Sequence, residues 1–233
     1  MAQAAGPLVV MLLLGAVVWF SDGKKTTLTG GGGEKAKAPP RTSVVDIASL
    51  PTGGSVPEWQ TDQGNFQLVT HEGRTVLELL PEPMAEGRLS WARLVAKRGT
   101  MRARMWGERT RRAAPRFALG VASSASSCWF RVVPLAGEVQ FVGAGEKMLA
   151  ATAWTWDTER WVWLELRIAP PTPGVGEKAR LEGRVWHEGD ERPEQPVLEI
   201  ALTEELGFAR ALVAAAPYAL KPVWIDYLEV SDP

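Results

Sequence analysis

The chain has 233 residues but a single cysteine, Cys128, which excludes an intramolecular disulfide framework and any multi-cysteine metal cluster. Two histidines, His71 and His187, are too few for a His-rich metal site within one chain. A charge excess is missing too: 26 Lys+Arg stand against 27 Asp+Glu, and a net charge of −1 gives no global pull toward nucleic acid. The sequence holds no G-x-S-x-G, H-E-x-x-H, phosphate loop or dinucleotide fingerprint. Gly30–Gly33 is glycine-rich but lacks the lysine spacing and the preceding strand that a phosphate loop needs. Tyrosine is scarce at 2, whereas tryptophan reaches 11. Size and composition are those of an ordinary globular protein with one large all-β domain or two small ones.

The amino terminus differs from the rest. Gly6–Phe20 is uncharged and mostly apolar, and Ala4 and Ala5 extend it to the ~17 residues that suffice for a membrane span. Residues 1–20 therefore read as a membrane anchor or as a signal segment. The signal reading lacks a basic start and an A-x-A cleavage pattern. A lipoprotein box is excluded because the nearest cysteine is Cys128. A buried core helix fits poorly, since the run has no polar face. Lys24 and Lys25 favour a cytoplasmic C-terminal side, in tension with the secreted character of the remaining chain. Residues 21–43 carry four consecutive glycines, a Pro pair and one Leu, which cannot bury enough apolar surface to fold. They read as a flexible linker spanning roughly 25 Å. The expected location is the cell membrane, with one N-terminal anchor and the domain in the periplasm or outside the cell. If the segment is cleaved, the protein is secreted.

Residues 44–233 read as one antiparallel β-sandwich domain. Apolar runs of strand length recur at Phe66–Thr70, Thr75–Leu80, Leu89–Ala96, Met101–Trp106, Arg116–Ala122, Cys128–Val133, Val139–Val142, Trp161–Ile168, Ala179–His187, Pro196–Leu202, Ala209–Ala215 and Val223–Val230. Turn formers such as His71–Arg74, Gly143–Gly145, Pro170–Gly176 and Gly189–Glu191 separate them. Glu204–Ala216 is the sole helix candidate, and Gly207 interrupts it. About twelve short strands predict an all-β, two-sheet jelly roll. Period-two alternation then sorts the faces. Val162, Leu164, Leu166 and Ile168 share one side of their strand, as do Leu181, Gly183 and Val185 of the next. If Pro170–Gly176 closes these two strands into a hairpin, Trp161, Trp163, Glu165, Arg167, Glu182, Arg184 and Trp186 meet on one non-core surface, the candidate ligand face.

The stretch Ile47–Gly54 with Pro57, Trp59 and Gly64-Asn65-Phe66 resembles the first strands of bacterial concanavalin A-like jelly-roll domains. Trp154 with Trp161–Ile168, Gly183–Trp186, Gly189, Pro193, Pro196 and the closing Pro222–Val230 resemble the same group. The likeness spans residues 44–233 and extends to the module found in secreted bacterial proteins, sometimes attached to quinoprotein-type β-propellers. No propeller is present here; an apolar segment and a linker take its place. The resemblance implies fold more than function, because its signals are distributed.

Catalytic signals are weak. Laminarinase-like enzymes of this fold use an E-x-D-x-x-E strand, and no such run exists here. Asp157 and Glu159 fall in a turn. Glu165 and Glu182 are expected to be neutralised by Arg167 and Arg184 in a surface ion-pair ladder. Cys128 has no histidine near it in sequence and reads as a buried, inert thiol, and both histidines read as facing water. Asp226 shares parity with Trp224, Leu228 and Val230, where an unpaired carboxylate is costly. With Asp46 it is the candidate for a structural Ca²⁺ site of the kind related sandwiches hold, against the alternative of a hydrogen-bonding or solvated carboxylate. From Arg88 to Arg116 there are ten Lys/Arg and one acid, Glu108. Arg102 and Arg104 share an outer face, while Arg109, Arg111 and Arg112 form a basic loop suited to an acidic partner or anionic lipid, with solubilising surface as the alternative. The expectation is no enzyme, no cofactor beyond that Ca²⁺, and no nucleic-acid partner. The first functional reading is a membrane-tethered accessory or scaffold subunit of a larger assembly for electron transfer or transport, contacting its partner through the basic loop. The alternative is a carbohydrate-binding module for cell-wall or environmental polysaccharide. Glycoside hydrolysis comes third.

Overall fold

The computed structural model describes residues 41–82, 86–95, 98–124, 126–171, 178–202, 209–218 and 220–232. The anchor-or-signal segment, the linker up to residue 40 and most of the hairpin turn Pro170–Gly176 lie outside them. No helix among the described residues is long and apolar enough to cross a membrane.

The strands are β1 (Arg41–Asp46), β2 (Trp59–Gln63), β3 (Phe66–His71), β4 (Arg74–Leu79), β5 (Gly87–Val95), β6 (Gly99–Gly107), β7 (Arg116–Ala122) and β8 (Ser127–Val133). They continue as β9 (Glu138–Gly143), β10 (Met148–Ala153), β11 (Val162–Ala169), β12 (Arg180–His187), β13 (Leu198–Ala201), β14 (Ala209–Ala216) and β15 (Val223–Asp232). Every expected strand is present to within two residues over its described part. Residues 209–216 of the helix candidate are strand β14, and residues 203–208 are outside the described set. Three strands escape sequence reading for a shared reason. β1 (RTSVVD) and β2 (WQTDQ) are mostly polar, and β10 (MLAATA) is alanine-rich, so none shows the alternation of a half-buried strand. β1 also begins three residues inside the expected linker, because Arg41–Asp46 pairs antiparallel with Tyr227–Asp232.

Two antiparallel sheets result. Sheet A runs β13-β12-β11-β6-β15-β4-β3 with β1 also on β15, and sheet B runs β10-β9-β8-β7-β14-β5-β2. Alternation decides what each buries. In β6, Met101, Ala103 and Met105 point to the core, while Arg102, Arg104 and Trp106 point out. Sheet B contributes Phe117, Leu119, Phe130, Phe141 and Val213 to the same core. Each such fully buried side chain is worth about 1.5–3 kcal/mol. Where the sheets meet, Gly183 of β12 receives the Phe130 ring so closely that an added Cβ would lie 2.4 Å from it. Cys128 is buried in this core, and burial pushes its thiol up to about 12, which keeps it protonated and unreactive.

Candidate functional site

Pairing registers assemble the candidate face on the outer side of sheet A. In the β11–β12 pair Trp163 lies opposite Trp186, Glu165 opposite Arg184 and Arg167 opposite Glu182. On the other flank of β11, β6 sets Arg104 beside Trp163 and Arg102 beside Glu165. β15 then adds Tyr227 beside Arg104 and Glu229 beside Arg102. One rung across the sheet thus reads Trp186–Trp163–Arg104–Tyr227, and the next reads Arg184–Glu165–Arg102–Glu229. All seven residues expected for the face lie on this side.

The aromatic rung is closely packed. Trp163 stacks on Trp186 at 5.8 Å with 6° between planes, and Tyr227 meets Trp163 edge-on at 5.0 Å. The Arg104 guanidinium sits 5.1 Å above the Trp163 ring. Trp186 is buried, whereas Trp163 and Tyr227 are partly exposed. The Tyr227 hydroxyl donates to Glu229 at 2.9 Å. Burial and that acceptor push its pKa up to about 12, so the phenol stays neutral.

The ionic rung differs from the expected surface ladder. Glu165 has no exposure, and Glu182 and Arg184 are buried. Glu165 accepts from Arg102 Nε at 2.6 Å, from Arg192 Nε at 2.7 Å and Nη2 at 2.5 Å, and from Arg184 Nη1 at 3.2 Å. Burial alone would raise this carboxyl, but the bonds from Arg192 and Arg102 outweigh it and hold its pKa below the ordinary value. Arg192 reaches in from the segment between β12 and β13, which turns an open ladder into a covered knot. That segment carries no apolar pattern, so sequence reading had no signal for it.

Asp226 sits at a β-bulge. The β6–β15 register shifts between Ile225 and Tyr227, so Trp224 and Tyr227 face outward while Leu228 and Val230 return to the core. The apolar company expected for Asp226 is therefore corrected. Its two oxygens accept from Arg104 Nε and Nη2, each at 2.7 Å, and Arg74 lies 3.0 Å away. Burial pushes this carboxyl above its ordinary value, against the pull of Arg104 and Arg74. Asp46 stands one strand over, and its Oδ1 accepts the Ala48 N–H that opens the short 3-10 turn Ile47–Ser49. Guanidinium groups and a backbone amide thus hold the two carboxylates of the candidate calcium site, as in the alternative of a hydrogen-bonding carboxylate.

Next to the bulge, Trp224 stacks on Trp106 at 5.1 Å and on His71 at 4.2 Å, and Trp106 leans on Trp161 at 6.2 Å. Arg74 lies 4.5 Å over Trp161. His71 is therefore half-buried in an aromatic stack rather than solvated. His187 likewise stacks on Trp154, and its Nε2 accepts the Asp157 N–H at 2.8 Å. Burial and the nearby Arg160 lower its pKa, which suits that neutral acceptor.

The basic run Arg88–Arg116 does not form one patch. Arg88 lies over Trp129 on sheet B, Arg102 and Arg104 join the face of sheet A, and Arg109, Arg111 and Arg112 are exposed in the loop after β6. The loop arginines make no ion pair among the described residues, while neighbouring Glu108 pairs with Lys221 at 3.6 Å.

No protein-family model matches the sequence, nor does any curated protein. Solved structures do match. The lectin UEA-II in complex with galactose aligns with a TM-score of 0.56 at 10% identity, covering 83% of this chain and 99% of the lectin. The Crh5 transglycosylase in complex with NAG aligns at 0.57 and 6% identity, covering 82% and 83%. The fold is a concanavalin A-like jelly roll. The VIP36 exoplasmic/lumenal domain, in a Ca²⁺/Man3GlcNAc-bound form, shares this jelly roll at 0.53 and 14% identity, covering 81% and 89%. Calcium does not fit the jelly roll described here at Asp226, whose oxygens are committed to arginines. Among the described residues no group of three or more His, Cys, Asp or Glu is arranged to hold a metal.

Proposed function

We propose that the chain is a non-catalytic carbohydrate-binding module and that the outer face of sheet A is its binding surface. The observation that carries this reading is the partly exposed Trp163–Tyr227 pair, backed by buried Trp186 and framed by guanidiniums. Aromatic rings offer sugar rings an apolar platform, and the neighbouring donors orient their hydroxyls. Sugar complexes of lectins with the same fold support it. Binding is favoured over hydrolysis because a glycosidase needs a carboxyl poised as general acid beside a second free carboxylate. Glu165 is held low by its arginines, and both Asp226 oxygens accept from Arg104.

A second reading rests on the exposed Arg109, Arg111 and Arg112: contact with a membrane surface or an acidic partner by a tethered accessory subunit. A location outside the cytoplasmic membrane, anchored or released, suits both. A glycan array spanning plant, algal and bacterial polymers tests the first. The expected result is binding to a subset of polymers, no shortened products, and about tenfold weaker binding for Trp163→Ala with unchanged circular dichroism. Silence across the array from folded protein would sink it. Release from membranes on reversing the three loop arginines to Glu would then favour the second.

A further inference from the structure

We infer that the saccharide bound by this face is anionic, carrying carboxylate or sulfate groups; this rests on the carbohydrate-binding reading above. Charge on the face is segregated by depth. The side chains of Glu165, Asp226, Glu182 and Glu229 are 0–15% exposed, whereas those of Arg104, Arg74, Arg102, Arg192 and Arg167 are 22–48% exposed. Of the more exposed acids, Glu188 is paired with Arg104 Nη1 at 2.5 Å, and Glu199 lies on the edge strand β13, paired with Arg180 at 3.3 Å. A ligand approaching the middle of the sheet meets guanidiniums first.

Arg104 gives all three nitrogens to Asp226 and Glu188, whereas the other guanidiniums are positioned yet not used up. Arg102 spends Nε on Glu165 and Nη1 on Glu229, and Arg192 spends Nε and Nη2 on Glu165. Arg102 Nη2 and Arg192 Nη1 have no acceptor among the described residues. Arg167, the most exposed of the five, has only Glu182 at 3.6 Å, beyond hydrogen-bond reach. The buried carboxylates thus fix the forks while leaving donors outward. Planar forks with spare N–H groups match the paired oxygens of carboxylates and sulfates, and do so better than they match single hydroxyls. The rungs supply the spacing. Glu165 with Arg102, and then Arg167, follow Trp163 in steps of two residues, about 7 Å each along the strand. A sugar ring seated against the exposed part of Trp163 therefore places the charged substituents of its own or the next residue over Arg102, Arg192 and Arg167.

The test is affinity electrophoresis of the full-length protein in gels containing matched polymers: dextran against dextran sulfate, and fully methyl-esterified pectin against polygalacturonate. Retardation by dextran sulfate or polygalacturonate, but not by its neutral counterpart, is the expected result. Which anionic polymer retards assigns sulfate or carboxylate. Arg167→Gln, on an exposed side chain whose loss leaves the Glu165 knot intact, should weaken retention about tenfold, the effect of removing a charge-assisted hydrogen bond. Trp163→Ala should weaken it as well. Equal retention by neutral and anionic members of a pair overturns the inference while the carbohydrate reading survives. No retention by any polymer, together with a silent glycan array, overturns both. Retention lost on reversing Arg109, Arg111 and Arg112 but unchanged in Arg167→Gln and Trp163→Ala would mark attraction to the basic loop, and overturns the inference too.

Discussion

Glu165 is a carboxylate with no solvent exposure, held by three guanidiniums from β6, β12 and the segment before β13. Taking such a charge out of water is tolerable only when charged donors replace the lost hydration, and removing the centre of the knot leaves its partners uncompensated. Glu165→Gln is expected to destabilise the domain by about 3 kcal/mol, read as a lowered denaturant midpoint at pH 7. The pH dependence is set by the direction of its shift. With the folded pKa below the unfolded value of about 4.3, Glu165 contributes stability above that pH and loses it as pH falls through the folded pKa. Denaturant midpoints measured from pH 6 down to 2.5 should therefore fall more shallowly in Glu165→Gln than in the wild type. Parallel acid limbs would show that Glu165 is not held ionised by its neighbours.

Among the elements, β15 shows how far strand periodicity reads correctly and where it stops. Its first residues pair with β4 and its last with β1 along the same edge, and the bulge at Asp226 lies between the two pairings. Alternation in β11 and β12 put every side chain on its observed face, since both strands run without a register shift. In β15 the same reasoning failed after Ile225, because a bulge inserts one residue and reverses parity with no glycine or proline to announce it. β1 covers backbone that would otherwise be an open edge along Tyr227–Asp232. A chain beginning at Arg41 should keep the cooperative melt of the full-length protein, whereas one beginning at Ile47 should melt several degrees lower. Fast amide exchange at 227–232 in the shorter form would locate the loss; equal melts for both would show β1 to be dispensable.

At the scale of the molecule, both sheets are closed by pairings distant in sequence: β6 with β15 and β11, β5 with β14, and β1 with β15. Loop closure must precede these contacts, which slows folding relative to hairpin-rich or helical proteins of similar stability. Tryptophan fluorescence after dilution from denaturant should recover over milliseconds to seconds. Recovery within tens of microseconds would contradict an obligatory assembly of both sheets.

Twelve of the strands, the jelly-roll class, the inert burial of Cys128 and the shared face of Trp163, Glu165, Arg167, Glu182, Arg184 and Trp186 were legible from the chain alone. The shared face comes from local alternation, which reports the side of a strand on which a residue falls, and the fold class from the number of apolar runs and the turns between them. Depth and partnership were decided by tertiary structure. Arg192 lies 27 positions from Glu165 and Arg102 lies 63, and no periodicity links them. The stack of His71 on Trp224 and the capture of Asp226 by Arg104 and Arg74 likewise join strands far apart in the chain. Whether a carboxylate stays in water or lies beneath guanidiniums depends on what the fold lays over it, and sequence spacing carries no record of that.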